Sequence, residues 1–100
     1  NEALGMVKQW QDMSYGGRHS ESTYQSSLPN FIELVESYGH VGFKIEKNSD
    51  LKETLDEAFS IKDKLVFVDV YVDPSEHVYP MLVAPNGSLK DMWLSKDKKV

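Results

Sequence analysis

Leu4, Met6, Val7, Trp10 and Met13 recur at the spacing of one helical face, and Gly16-Gly17 follows directly. The pattern predicts an amphipathic helix over residues 4–15 that stops at the glycine pair. Residues 16–27 are rich in Gly, Ser, Thr and Gln and hold no period, so a long surface or interface loop is expected there. Pro29 suits a first helical turn, Phe31, Ile32, Leu34, Val35 and Tyr38 supply the apolar face of a second helix, and Gly39 suits a left-handed C-terminal cap. A short β-branched and aromatic run over residues 41–46 reads as a strand. Ser49 or Asp50 can cap a third helix carrying Leu51, Leu55, Ala58 and Phe59, and residues 64–72 form a strongly apolar strand.

The order strand, helix, strand places the chain in the α/β class, with parallel strands flanked by helices. Leu65, Val66, Phe67 and Val68 are apolar on both alternating faces, so the last strand is expected to be buried on both sides, as in a parallel sheet covered by helices. Two strands cannot satisfy that alone. The remaining strands are expected from residues before Asn1 or from another chain, and the chain as it stands is expected to be truncated and to associate. After Asp73, Pro74, Pro80, Pro85 and the Asn86-Gly87 pair predict an irregular tail over residues 74–100, with at most one further turn around residues 89–94.

One hundred residues amount to one small domain or part of a larger one. With 40% hydrophobic and 27% charged residues the chain is globular in character, and its formal charge of −5, with lysines scattered among carboxylates, argues against nucleic-acid binding. The lack of cysteine excludes disulfides, thiolate metal sites and thiol nucleophiles, and fits a reducing cytoplasm, the expected location. No apolar run approaches the ~20 residues of a membrane span, and no membrane partner is expected. Asn1-Glu2-Ala3 lacks the regions of a signal peptide and a starting methionine, which again predicts a cut chain.

His19, His40 and His77 sit in a polar loop, after a helix stop and at a strand end, without the close spacing of a zinc site, so structural or solvated roles are expected. Glu33, Glu36, Asp56 and Glu57 occupy polar helix faces, and Lys96, Lys98 and Lys99 read as a solvated tail. No general acid or base is assigned. By residue type alone, Asn1 reads as a helix N-cap or a chain end, and Met6, Val7 and Trp10 read as a core stripe.

The string Asn1-Glu2-Ala3-Leu4-Gly5-Met6-Val7-Lys8-Gln9-Trp10-Gln11 gives these residues a second reading. It resembles the segment closing the thiamine diphosphate motif of the acetohydroxyacid (acetolactate) synthase catalytic subunits. The resemblance continues through Leu28-Pro29-Asn30-Phe31, Glu36-Ser37-Tyr38-Gly39, the strand from residue 66 to 73 and His77-Val78-Tyr79-Pro80-Met81. Asp91-Met92-Trp93-Leu94-Ser95-Lys96 is similar to enteric bacterial members, so essentially the whole chain is covered. The segment carrying Ala84-Pro85 and Asn86-Gly87 departs from the commoner glycine-rich version, which puts tail contacts near an active-site entrance in doubt.

The resemblance implies that residues 1–100 are the C-terminal part of a thiamine diphosphate-binding domain. It implies cofactor binding by Asn1, Glu2, Ala3, Leu4, Gly5 and Met6, with Asn1 and the Ala3 carbonyl as magnesium ligands, since magnesium takes hard oxygen donors and commonly bridges protein oxygens to phosphates. Met6, Val7 and Trp10 are implied to wall the substrate site. The parent enzyme would decarboxylate pyruvate on thiamine diphosphate and condense the product with pyruvate or 2-ketobutyrate. FAD would lie outside this segment. The implied partners are the remainder of the catalytic subunit, a homodimer partner, a regulatory small subunit and 2-ketoacid substrates. Because the activating glutamate and the Gly-Asp-Gly motif are missing, the isolated chain is expected to be inactive. Another thiamine diphosphate carboligase or oxidase, and a non-catalytic binding or assembly module, are the alternatives.

Overall fold

The computed structural model describes residues 1–83 and 87–100. The chain divides into two compact units: one is Asn1 with Ser26–Asp73, the other Glu2–Gln25 with Pro74–Val100.

The first unit is built on helix α2 (Phe31–Ser37), strand β1 (Val41–Ile45), helix α3 (Leu51–Ser60) and strand β2 (Val66–Val70). Asn30 caps α2 by accepting from the backbone N–H groups of Ile32 and Glu33, which satisfies two of the donors that a helix start leaves unpaired. Gly39 ends this stretch with φ +78°, the left-handed value expected of it. The third helix starts differently from expectation. A short 3-10 turn, Asn48–Asp50, leads into α3, and neither Ser49 nor Asp50 caps it, because the Ser49 hydroxyl donates to the Asp50 carboxylate instead.

β1 and β2 pair in parallel, with Val41 opposite Val66 and Ile45 opposite Val70, as the strand-helix-strand pattern predicts. Helix α2 packs on both strands: Phe31 stacks on Phe67 with ring centroids 5.9 Å apart, and Ile32 lies over Gly42. Ile45 and Ala58 are the buried apolar residues among those described. The double burial expected for β2 is not reached in this chain. Phe67 and Val70 are 40% and 44% exposed and Leu65, just before the strand, 70%, since two strands and two helices supply too little cover.

The second unit holds helix α1 (Gly5–Ser14) and residues 74–100. Gly16 and Gly17 follow the helix with φ of +61° and +71°, a conformation open mainly to glycine. Residues 74–100 are not the irregular tail expected. They carry strands β3 (Met81–Leu82), β4 (Met92–Ser95) and β5 (Lys98–Lys99) in one antiparallel sheet of order β3-β4-β5, with a 3-10 turn over Leu89–Asp91. Ser88 caps that turn, and Lys99 lies with its ammonium 4.4 Å from the centre of the Trp93 ring. Short strands rich in lysine and methionine, broken by turn residues, escape a period-based reading. Ala84, Pro85 and Asn86, and with them the Asn86-Gly87 turn, lie outside the described residues.

A Cβ on Gly42 would meet the Cγ2 of Ile32 at 2.9 Å and its Cα at 3.1 Å. A backbone atom cannot swing aside, so α2 itself must shift. Gly42→Ala is expected to cost about 1–3 kcal/mol, the range for an overpacked interface. Equilibrium denaturation should read that loss, and a Gly42→Ala/Ile32→Val double variant should not recover it, because valine keeps the Cγ2 and the backbone Cα that the new methyl meets.

Candidate functional site

The site is organised by α1. Its N-cap position is Leu4, which offers no side-chain bond, and the first turn holds no acidic residue. The positive end of the helix dipole is therefore left without a protein carboxylate of its own. Just before the helix, Ala3 bridges Thr23 in antiparallel fashion. The flanking bonds run from Leu4 N–H to the Ser22 carbonyl at 2.9 Å and from Tyr24 N–H to the Glu2 carbonyl at 2.8 Å. Glu2 and Glu21, near the two ends of the bridge, both adopt left-handed φ values, +51° and +54°, unusual for residues with a side chain.

One face of α1 carries Val7, Trp10 and Gln11, which the helical spacing of three and four brings together. These residues line a cleft of about 630 Å3 whose remaining walls are Tyr15 and the loop residues Arg18, His19 and Ser20. Val7 and Trp10, expected at a substrate site, thus share one cavity. Met6, expected beside them, is 47% exposed and does not line it. Asn1 and Glu2 are exposed, and Ala3 is half-buried.

The most buried side chain of α1 is polar. Gln9 is 1% exposed, and its carboxamide makes a two-way bond with the backbone of Val78: Oε1 accepts from Val78 N–H at 3.1 Å, while Nε2 donates to the Val78 carbonyl at 2.9 Å. The same Nε2 lies 3.4 Å from the Met81 sulfur. Two residues on, the hydroxyl of Ser22, fully buried, donates to Gln11, and Gln11 Nε2 donates to the Ser20 carbonyl at 3.1 Å. These bonds fasten the loop and the 74–100 segment to the helix.

Asp12 gathers the charges. His19 Nε2 stands 2.6 Å from its Oδ1, His77 Nε2 2.7 Å from its Oδ2, and Lys8 Nζ 3.3 Å from Oδ2. An ionised carboxylate has no proton to give, so both imidazoles present N–H at Nε2. Burial pushes the Asp12 carboxyl up, but the hydrogen bonds from His19, His77 and Lys8, with the charge of Lys8, outweigh it and hold the group at about 2, against 3.8 ordinarily. The structural roles expected for His19 and His77 are these. Their convergence on Asp12 was not legible, because 65 residues separate Asp12 from His77. Among the described residues no group of three or more His, Cys, Asp or Glu is arranged to hold a metal ion.

Gln9→Leu keeps most of the side-chain bulk but orphans the N–H and carbonyl of Val78. A loss of roughly 1–3 kcal/mol for each unpaired group is expected, read by denaturant unfolding together with faster amide exchange at Val78. Asp12 adds a pH signature. Its folded pKa is depressed, so its pairing contributes stability fully present above 3.8 and lost as the pH falls towards about 2. Asp12→Asn should therefore be less stable than the parent near neutrality. Urea unfolding across the acid range should show that gap closing.

Residues 1–70 match the family described as thiamine pyrophosphate enzyme, C-terminal TPP binding domain. The acetolactate synthase large subunit of Haemophilus influenzae is 60% identical over 99 residues, covering 99% of this chain and 17% of that protein. The acetolactate synthase isozyme 3 large subunit of Escherichia coli is 54% identical over 101 residues, with the same shares of 99% and 17%. The acetolactate synthase of Mycobacterium bovis is 36% identical over 87 residues, covering 84% of the chain and 14% of that protein. The chain spans about 17% of the length of the first two relatives. No helix among the described residues is long and apolar enough to cross a membrane. With the family match running unbroken from Asn1 through α1 and the parallel pair β1-β2, the chain belongs to the thiamine pyrophosphate enzymes, within their C-terminal TPP-binding domain.

Proposed function

We propose that this segment supplies part of the cofactor site and one wall of the substrate site of an acetolactate synthase. Such an enzyme decarboxylates pyruvate and condenses the product with pyruvate or 2-ketobutyrate. The observation that carries this reading is the joint placement on α1 of a first turn without acidic residues and, within two turns, the Val7 and Trp10 wall of a cleft. A diphosphate suits the former, because unpaired first-turn N–H groups and the helix dipole both favour an anion. An aliphatic 2-ketoacid side chain suits the latter.

In this reading Asn1 and the Ala3 carbonyl offer hard oxygen donors to magnesium, and Glu2, Leu4, Gly5 and Met6 form the backbone beside the cofactor. Bound thiamine diphosphate supplies the carbanion chemistry. The chain's own residues would orient and enclose: the start of α1 would hold the anionic end, and the indole of Trp10 with Val7 would shield the substrate from water. FAD lies outside this segment. The rest of the catalytic subunit, a homodimer partner and a regulatory small subunit complete the assembly, which works in the cytoplasm. The partly exposed Phe67, Val70 and Leu65 are surfaces that the rest of the subunit would cover. The isolated chain is expected to form no acetolactate.

Trp10→Leu in the complete polypeptide tests the wall. One methylene in an apolar pocket is worth roughly 1–3 kcal/mol, so preference for 2-ketobutyrate over pyruvate should fall about tenfold or more, with the first decarboxylation retained. The ratio of acetohydroxybutyrate to acetolactate in competition, on enzyme shown to be folded, decides it. An unchanged ratio would remove Trp10 from the substrate wall.

A further inference from the structure

The cleft has one wall that the helix does not provide. Arg18, His19 and Ser20 belong to the loop after α1, and three bonds hold them to that helix: Arg18 N–H to the Tyr15 carbonyl at 3.3 Å, His19 to Asp12, and Gln11 to the Ser20 carbonyl. Of the three, only the His19 bond is made to an ionised group, the kind whose loss costs most. Asp12 does not line the cleft. Its second oxygen is bonded to His77, whose side chain is 8% exposed, so the carboxylate cannot follow His19 without breaking a shielded bond.

We propose that Asp12 is a positioning residue: held by His77 on Oδ2, it fixes the His19 imidazole on Oδ1 and thereby the width of the cleft that His19 shares with Trp10. Resting on the substrate-wall reading above, this makes Asp12 a determinant of which 2-ketoacid side chain the cleft accepts. The carboxylate acts through His19, touching neither substrate nor cofactor. Gln11, bonded to both Ser20 and Ser22, supports the same wall from the next helical position but carries no charge.

The test uses the complete polypeptide bearing this segment, with two readouts. Amide hydrogen exchange over residues 16–22 reports the wall directly, and the ratio of acetohydroxybutyrate to acetolactate reports its effect on selection. Asp12→Asn should speed that exchange roughly tenfold or more, as expected for losing a charge-assisted bond, and should shift the product ratio. His19→Gln removes the same bond from the other side. It should reproduce the exchange change, which keeps the test open if Asp12→Asn does not fold. His77→Gln leaves the His19 bond in place and should shift the ratio less than Asp12→Asn.

Unchanged exchange in both Asp12→Asn and His19→Gln overturns the proposal, whatever the products. Faster exchange with an unchanged ratio, while Trp10→Leu does move the ratio, shows that the wall does not select and also overturns it. A ratio shift in His77→Gln without faster exchange over residues 16–22 points to an effect that bypasses the wall and counts against it likewise. If Trp10→Leu and Asp12→Asn both leave the ratio unmoved, the substrate-wall reading has failed and the selective role of Asp12 falls with it. Accelerated exchange would still distinguish that case from a failure of the positioning contact itself.

Discussion

The unit formed by Glu2–Gln25 and Pro74–Val100 depends on a polar bond where an apolar one would be expected. The carboxamide of Gln9 engages both backbone groups of Val78, 69 positions away. Among the described residues the buried apolar side chains, Ile45 and Ala58, belong to the other unit, while the fully buried side chains of this one are Gln9 and Ser22. A small unit with so little apolar interior relies on the direction of its bonds. Such bonds tolerate little: a carboxamide presents one donor side and one acceptor side, and only one placement of the Val78 backbone satisfies both.

Directional anchoring has a benefit for the other faces of α1. Because the helix is held by Gln9, Gln11 and Asp12, its apolar residues are released from packing duty: Leu4, Met6 and Val7 remain 47–48% exposed. An ordinary amphipathic helix would have buried them against its own domain. Here they are turned outward, at the N-terminal end of the helix. The shape of the helix thus separates two tasks, with polar residues fixing its position and apolar residues left to meet something else.

That inversion explains what could be read from sequence and what could not. The helix ends were legible because Gly16, Gly17 and Gly39 mark left-handed positions, and the parallel pair was legible because the run from Leu65 to Val68 is apolar on both faces. The apolar stripe of α1 was legible as a stripe, but periodicity cannot say which side of a helix faces inward when the inward side is held by hydrogen bonds. Nor does any local pattern mark His19 and His77 as partners of Asp12. The sheet of residues 74–100 escaped for a related reason: strands of two to four residues are set by cross-strand contacts such as Lys99 on Trp93. Val7 and Trp10 were singled out only through the resemblance carried by the opening string, and both line one cleft.

The bridge between Ala3 and Thr23 closes the helix and its following loop into a ring. A ring pinned at its neck responds to insertion differently from a free loop. The closure entropy grows only logarithmically, about 0.6 kcal/mol for each doubling of length, so added residues are cheap in themselves. Where they can be added is another matter. Gly17 N–H bonds the Gln11 carbonyl at 3.0 Å, residues 18–20 are tied to α1 and residues 22–24 to the neck, so bonds run along most of the ring. Length variation should therefore collect beyond Tyr24, outside the neck, where an added residue breaks none of these bonds.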